Sequence, residues 1–415
     1  MPARRAALTL LQAVLWQGRA LEAALPRALR SLDDPSDRGL ARNIAASVLR
    51  WLPDLDELID ARTRMPLPDD ARARMVLRMA LAQALVLETP HHAVVATALP
   101  LVEGGPRRLV HGVLSSALKA GDSLPDRPLL PEPWGQRWAE AWGEKAAAAA
   151  AAAMAAPPPI DLTYKSADVV PPPGEGEVSL LPGHLRTRRA GRVEAWDAYG
   201  EGDWWVQDLA AALPARLLAP QAGERIADLC AAPGGKTMQL AATGAAVIAV
   251  ENNEKRLTLL RENLERTGLP AELLHSDARK FRPEAPLDAV LLDAPCSATG
   301  IFRRHPDVLH LRDPDRLEET LRIQAALLSH AATLVRPGGR MVYAVCSLER
   351  EEGEDQVDAF LDRHPDWHAD PAPAGALPEG IREEAPGRIR TLPGDLAEIG
   401  GCDGFFMGRL VRDEN

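Results

Sequence analysis

The first 120 residues or so place leucine, isoleucine and valine at helical spacing between short polar turns. Two such faces are formed by Leu8, Leu11 and Leu15 and by Leu77, Leu81 and Leu85. Apolar residues that recur every three to four positions are typical of amphipathic helices that pack around a common core. We therefore predict an all-α domain over residues 1–122.

The chain changes character between residues 123 and 199, where proline recurs and an alanine run spans Ala146 to Ala153. The alanines favour a helix, and the prolines that follow end it. The tryptophan-rich segment before the run and the run itself predict one or two helices. After these helices in the chain we predict a small α+β subdomain with strands near Ile160–Tyr164 and Val193–Asp197.

From Gly202 onward, short apolar runs alternate with helical patterns. The run LDAVLLD is apolar throughout, as expected for a strand that is covered on both faces. Alternation of this kind predicts a mostly parallel sheet with helices on both sides, so residues 200–415 read as an α/β Rossmann-like domain. A helix is predicted over Leu317–Leu334, and the tail CDGFFMGRLVR predicts an antiparallel edge strand.

Charge and composition narrow the classes of protein. No run approaches the ~18 uncharged apolar residues of a membrane span, and the first segment lacks a cleavage signal, so we expect a cytoplasmic protein with no membrane partner. The four cysteines follow neither CxxC nor His-paired spacing, which argues against a metal site and against a disulfide framework.

A net charge of −11 excludes a protein that coats phosphate without specificity. Binding of nucleic acid must then depend on local basic clusters. The candidate phosphate contacts are Arg186, Arg188, Arg189, Arg303 and Arg304. The alternative, that these arginines only form a solvated surface or offset nearby acids, stays open.

A glycine-bearing loop follows the first strand of the α/β region. Gly234 and Gly235 let the backbone approach a ligand at a helix start. A nucleotide-triphosphate loop would need glycine where Cys230 stands, so we reject that interpretation.

Acidic residues end the next strands. Glu251 stands where an acid accepts hydrogen bonds from ribose hydroxyls, Asp277 suits an adenine amino group, and Asp293 ends the fourth strand. With no dinucleotide fingerprint, the pattern favours an adenosine ligand without pyrophosphate, and S-adenosylmethionine fits. The candidate cofactor-binding residues are Cys230, Ala231, Ala232, Pro233, Gly234, Gly235, Lys236, Glu251, Asp277 and Asp293.

Two thiols complete the set of candidate catalytic residues. Cys296 follows Asp293 in LLDAPCSATG, and Cys346 ends the strand MVYAVCS. Thiols where strands open into polar loops indicate covalent chemistry on an electrophilic carbon. The alternative is that both are small buried apolar residues.

Several motifs carry a resemblance to known families. The α/β region contains DLCAAPGGKT, SDARKF, LLDAPCSATGIFRRHPD and YAVCSLEREEGED, and it resembles the RNA cytosine-C5 methyltransferases. The amino-terminal segments ARRAALTLLQAVL and PHHAVVATALPLVEGGPRRLVHGVL resemble the RNA-binding NusB family. Together they are similar to the Sun/Fmu family of bacterial ribosomal RNA methyltransferases.

The resemblance implies that the enzyme methylates one cytosine of 16S ribosomal RNA with S-adenosylmethionine. It implies Cys346 as the nucleophile and Cys296 as an aid to product release, and Asp293 is suited to hydrogen-bond the cytosine ring. DNA cytosine methyltransferases attack from the Pro-Cys position, which here is Cys296. Val345 stands where the family usually has threonine, and Glu251 where it has aspartate. Transfer RNA or another RNA as substrate, or an RNA-binding protein without turnover, are the alternatives; we expect a monomer.

Overall fold

The computed structural model describes residues 1–314 and 317–414, which form two compact units. Unit 1 comprises residues 1–157 and 302–314, and unit 2 the remaining described residues. The division differs from the three parts predicted, because residues 123–157 group with unit 1 and residues 158–199 with unit 2.

Unit 1 is helical, as predicted. Its helices are α1 (Pro2–Leu15), α2 (Leu21–Ala28), α3 (Pro35–Arg50), α4 (Leu52–Asp60), α5 (Arg72–Leu85), α6 (His91–Ala98), α7 (Gly105–Ala120), α8 (Trp134–Trp142), α9 (Glu144–Met154) and α13 (Val308–Leu311). Helix α5 lies at the centre and is buried on all sides from Ala73 to Ala84. The two arginines of this buried stretch are ion-paired, because Arg74 and Arg78 both contact Asp56.

The segment 302–314 belongs to unit 1 although it comes late in the chain. Asp307 Oδ2 accepts a hydrogen bond from the backbone N–H of Leu21, at the start of α2, at 2.9 Å. The indole N–H of Trp134 donates to the carbonyl of Leu309 at 2.8 Å. The first backbone N–H groups of a helix have no acceptor within the helix. Asp307 supplies the acceptor that α2 lacks in its own sequence.

Unit 2 opens with a three-stranded antiparallel sheet of order β2-β1-β3. Its strands are β1 (Ile160–Tyr164), β2 (His184–Thr187) and β3 (Trp204–Val206). The predicted strand at Ile160–Tyr164 is confirmed. The predicted strand at Val193–Asp197 is wrong, because residues 193–195 form a 3-10 turn. The strand is instead β2, which lies earlier in the chain and contains Arg186. The strand forms around Arg186 because this residue lies opposite Asp161 of β1 and donates a hydrogen bond to it.

The main sheet is mixed, and its five parallel strands form the predicted Rossmann-like core. Its strands are β4 (Arg225–Leu229), β5 (Ala246–Glu251), β6 (Glu272–His275), β7 (Leu287–Asp293), β8 (Val335–Val345), β9 (Trp367–Ala369), β10 (Glu383–Ala385), β11 (Arg388–Thr391) and β12 (Phe405–Arg412). The order is β10-β11-β12-β8-β7-β4-β5-β6, with β9 beside β12, and the parallel pairs run from β6 to β8.

Helices of unit 2 connect these strands. They are α10 (Leu209–Leu218), α11 (Gly235–Ala242), α12 (Glu254–Thr267), α14 (Leu317–Leu334) and α15 (Glu354–Arg363). The bounds predicted for α14 agree with the structure. Among the described residues, no helix is both long enough and apolar enough to cross a bilayer.

The predicted edge position of the last strand is wrong. Strand β12 is antiparallel, as expected, but it pairs with β8 on one side and with β11 and β9 on the other. Phe406, Met407 and Leu410 are fully buried, which fits an interior strand. The three short strands between α15 and β12 cover what would otherwise be an open edge, and the apolar alternation of the tail could not show this.

Candidate active site

The two candidate thiols meet at the carboxyl ends of neighbouring parallel strands. Strands β7 and β8 pair so that Asp293 lies opposite Ala344. Cys296 follows β7 and Cys346 follows β8, and their Sγ atoms are 3.5 Å apart. Both thiols are partly buried, as expected for side chains at the strand ends of an α/β sheet that face a ligand crevice.

Lys236 lies beside the thiols and forms an ion pair with Asp293. The distance from Lys236 Nζ to Asp293 Oδ2 is 2.8 Å, and the lysine side chain is 10% exposed. Burial lowers the pKa of the ammonium, but the Asp293 carboxylate outweighs it, so the pKa of Lys236 lies above its ordinary value. The ammonium also stands over the ring of Phe405 at 5.4 Å. Lys236 is therefore a permanent cation inside the site.

Burial acts on the protonation of two cysteines near the site. The hydrogen bond with Cys346, and then burial, raise the pKa of Cys296 well above that of a free thiol. Burial, and then the Asp293 carboxylate, raise the pKa of Cys230 to about 12. Since the thiolate is the nucleophile, Cys230 is not disposed to attack in this state.

The glycine-bearing loop turns into a helix as the motif predicted, and α11 begins at Gly235. Gly234 has φ +107°, and a Cβ there would lie 2.3 Å from Leu260, so only glycine fits without a shift. The residues 230–236 therefore form one tight turn between β4 and α11.

Glu251 stands at the end of β5 and is 2% exposed. Its carboxylate accepts hydrogen bonds from the backbone N–H groups of Asn253 at 2.9 Å and Ala232 at 3.3 Å. Arg256 Nη1 approaches to 3.6 Å. The additional methylene relative to aspartate thus lets Glu251 join its own strand end to the glycine-bearing loop.

Asp277 lies at the turn after β6. It accepts hydrogen bonds from the backbone N–H and the guanidinium of Arg279, and the side-chain bond holds its pKa at about 2. The structure therefore keeps Asp277 ionised at the sheet edge, where it caps a 3-10 turn over residues 278–280.

Sequence reasoning missed Asp228, although it too lies near a strand end. Burial raises the pKa of this carboxyl group to about 7, and Oδ2 accepts a hydrogen bond from Thr237. Its other oxygen, Oδ1, is buried and has no hydrogen-bond partner. A buried acceptor without a partner is costly, so Oδ1 fits the charged ammonium end of an amino-acid ligand. The residues present therefore suit S-adenosylmethionine.

Two of the predicted phosphate contacts require correction. Arg186 is 3% exposed, and its guanidinium donates to both oxygens of Asp161, so it stabilises the small sheet and does not face an RNA backbone. Arg303 is 2% exposed inside unit 1. A run of basic residues in a sequence cannot show which side chains are buried by the fold, and this is why both were assigned to the surface.

The remaining basic candidates are more accessible. Arg188 and Arg189 are exposed, and the guanidinium of Arg189 lies 5.2 Å from the ring centroid of Trp196. Arg304 is half-buried. In the described part of the chain, no group of three or more His, Cys, Asp or Glu side chains is placed to hold a metal ion.

A contact between two loops fixes the Cys296 segment. The Gly300 N–H donates to the carbonyl of Cys346 at 3.0 Å, and the Gly404 N–H donates to the carbonyl of Gly300 at 2.9 Å. A Cβ at Gly300 would lie 1.9 Å from the Gly404 oxygen. Two glycines meeting at backbone distance left no signal in the sequence, because they are separated by more than a hundred positions.

Comparisons with known proteins identify the family. The model of the 16S rRNA methyltransferase RsmB/F family matches residues 215–411, and that of the NusB family matches residues 1–119. Ribosomal RNA small subunit methyltransferase B of Klebsiella pneumoniae (strain 342) is 33% identical over 99% of this chain and 98% of its own. The chain belongs to the RsmB family. The resemblances to the Sun/Fmu family of ribosomal RNA methyltransferases and to the NusB family are thereby confirmed, as is the fold class.

Solved structures agree with this assignment. The fold of PH0851 matches 99% of this chain and 98% of its own with a TM-score of 0.74 at 22% identity. A methyltransferase homolog protein from Pyrococcus horikoshii matches 72% of this chain and 98% of its own, with a TM-score of 0.55 at 26% identity. As a member of the RsmB methyltransferase family, the chain takes its methyl group from S-adenosylmethionine.

Proposed function

We propose that this RsmB-family enzyme methylates carbon 5 of a cytosine in 16S ribosomal RNA through a transient bond between Cys346 Sγ and carbon 6 of the ring. The observation that carries the proposal is the approach of two thiols to 3.5 Å beside the ion pair of Lys236 and Asp293. The 16S substrate comes from the relatives and the family model, which are named for small-subunit ribosomal RNA.

The chemistry explains why a thiol is needed. Carbon 5 of cytosine is a poor nucleophile, so a thiolate first adds to carbon 6 and pushes electron density onto carbon 5. When bound, S-adenosylmethionine supplies an electrophilic methyl group for that carbon. Cys346 is the attacking thiol in this proposal, because the resemblance to the RNA cytosine-C5 methyltransferases implies this role for it and leaves product release to Cys296.

Asp293 and Lys236 prepare the ring and the thiol. The Asp293 carboxylate accepts a hydrogen bond from the exocyclic amine of cytosine, which uracil lacks, and this selects the base. The ammonium of Lys236 holds Asp293 in place and stabilises negative charge that develops on Cys346. Lys236 thus supplies the activating cation that the sequence could not identify.

Product release requires that the proton on carbon 5 leave and that Cys346 be eliminated. Cys296 is the base or proton relay for this step, since its Sγ lies 3.5 Å from that of Cys346. The donor is held by the loop of residues 230–236, with Glu251 for its ribose, Asp277 for its adenine and Asp228 Oδ1 for its ammonium group.

The RNA is held by the NusB-like segment and by the exposed arginines Arg188 and Arg189. A crevice at a sheet edge cannot admit a base inside a duplex, so the target cytosine is single-stranded or flipped out. We still divide the chain by function into three parts: an RNA-binding domain (1–122), a connecting region (123–199) and a catalytic domain (200–415).

The test traps the adduct. 16S RNA without its natural methyl groups, but with 5-fluorocytosine at the target position, is incubated with S-adenosylmethionine and the enzyme. Covalent complexes are then resolved on denaturing gels. We expect a complex with the wild type and none with Cys346→Ala, whereas Cys296→Ala should accumulate a complex even on ordinary RNA. Cys402→Ala, which removes a thiol outside this pair, is the control.

Three results would contradict the proposal. A complex with Cys346→Ala would assign the attack to another residue. Transfer of tritiated methyl groups to transfer RNA and not to 16S RNA would change the substrate. Binding of 16S RNA by the wild type without any transfer would make the protein a binding protein.

A further inference from the structure

A buried carboxylate lies behind the two thiols. Glu352 is fully buried and accepts four hydrogen bonds. Its Oε1 accepts from the backbone N–H of Ser297 at 2.9 Å and from the side-chain amide of Gln324 at 3.0 Å. Its Oε2 accepts from the hydroxyl groups of Ser297 and Ser347.

The partners of Glu352 adjoin the reacting groups. Ser297 directly follows Cys296, and Ser347 directly follows Cys346. The two serine hydroxyls are also 3.0 Å from each other. One carboxylate therefore joins the loop after β7 to the loop after β8 at the residue next to each thiol.

We propose that Glu352 is a positioning residue that fixes the separation of the Cys296 and Cys346 thiols. Its catalytic consequence rests on the function proposed above, in which one thiol attacks the ring while the other moves a proton. Its structural consequence, the distance between the thiols, does not depend on that function.

The chemistry of the carboxylate supports this role over simple space-filling. An ionised carboxylate offers about four lone-pair sites, and all four donors found here are neutral groups. Burying a charge among neutral groups is unfavourable unless its hydrogen bonds are complete, and an apolar side chain would fill the same volume without that cost. An apolar side chain could not, however, hold the loops that contain Ser297 and Ser347 in a fixed position relative to each other.

The relative position of these two loops matters because the reaction uses both thiols on one ring. A displacement of about 1 Å in a reacting group costs on the order of a hundredfold in rate. The Gly300 N–H to Cys346 carbonyl bond also ties these loops, so loss of Glu352 acceptors should loosen them without separating them.

The variant Glu352→Gln keeps the shape but replaces one acceptor oxygen with a donor, so either the two serine hydroxyls or the Ser297 N–H and the Gln324 amide lose their shared acceptor. The control is Asp355→Asn, which removes an exposed carboxylate nearby. Two quantities are measured: kcat and KM for methyl transfer to 16S RNA, and the rate at which diamide links Cys296 to Cys346 without RNA. In that reaction two thiols give up two protons and two electrons to diamide, which becomes a hydrazine.

We expect Glu352→Gln to lower kcat about ten- to a hundredfold with little change in KM, and to lower the rate of disulfide formation about tenfold, because loosened loops hold the two sulfurs together less well. Asp355→Asn should change neither. Ser297→Ala combined with Glu352→Gln should cost less than the sum of the two single variants, because both disturb the same interaction.

Unchanged disulfide formation in folded Glu352→Gln would overturn the proposal, as would additive losses in the double variant. If the wild type transfers no methyl group but the disulfide rate still depends on Glu352, the proposed function fails and the positioning role stands. A variant too unstable for assay is replaced by Ser347→Ala, for which we expect the same direction in both quantities.

Discussion

The contact between Gly300 and Gly404 gives a sharp test of how closely the active-site loops are packed. In Gly300→Ala, the new Cβ would lie 1.9 Å from the Gly404 carbonyl oxygen and 2.7 Å from its carbonyl carbon. Real Cβ atoms rarely approach other atoms within 3.0 Å, so one loop must retreat by about 1 Å or more.

The magnitude follows from that retreat. Overpacking of this kind costs about 1–3 kcal/mol, and weakening the two backbone hydrogen bonds at Gly300 costs about 1 kcal/mol each. Restriction of the unfolded chain by alanine returns about 0.4–1 kcal/mol. We therefore expect the free energy of unfolding to fall by roughly 2–4 kcal/mol. A shift of about 1 Å at the Cys296 loop should also lower kcat about a hundredfold.

Urea denaturation and tritiated methyl transfer to 16S RNA measure the two effects. The control is Gly112→Ala, in the exposed middle of α7, where a Cβ meets nothing within 4 Å. There we expect a stabilisation of about 0.5–1 kcal/mol and unchanged kcat. If Gly300→Ala is as stable and as active as the wild type, the described packing of the two loops is wrong.

Four further substitutions probe charged residues, three of them at buried positions and one at an exposed position. Burial raises the pKa of Asp228 from its ordinary value of 3.8 to about 7, so its contribution to stability is complete below about pH 3.8 and is lost as the pH rises to about 7. Urea titrations at about pH 5 and about pH 7.5 should show a larger fall for the wild type than for Asp228→Asn, and parallel curves would refute the raised pKa. Arg186→Met leaves Asp161 buried without its partner and should cost about 3–5 kcal/mol of unfolding free energy, whereas Arg189→Glu should weaken RNA binding in filter assays and leave stability within ~0.5 kcal/mol. Lys236→Met should lower kcat for methyl transfer at least about tenfold, and full activity would remove the lysine from the mechanism.

Local pattern determined much of this protein. Helical periodicity is set by the residues of one segment, so the helical amino-terminal region and α14 could be predicted from spacing alone. The alternation of apolar runs with helices likewise predicted the parallel sheet. Because the carboxyl ends of such strands share one edge, the same pattern placed Cys296 and Cys346 in one site before any distance was known.

Tertiary structure decided whatever depended on partners distant in the chain. Arg186 is an internal residue because Asp161 stands opposite it in a neighbouring strand, and β12 is internal because three short strands cover its outer side. Glu352 became visible only when it was seen to bind the residues after both thiols. A side chain's periodicity depends on its own segment, but its burial and its hydrogen bonds depend on which segments the fold brings together.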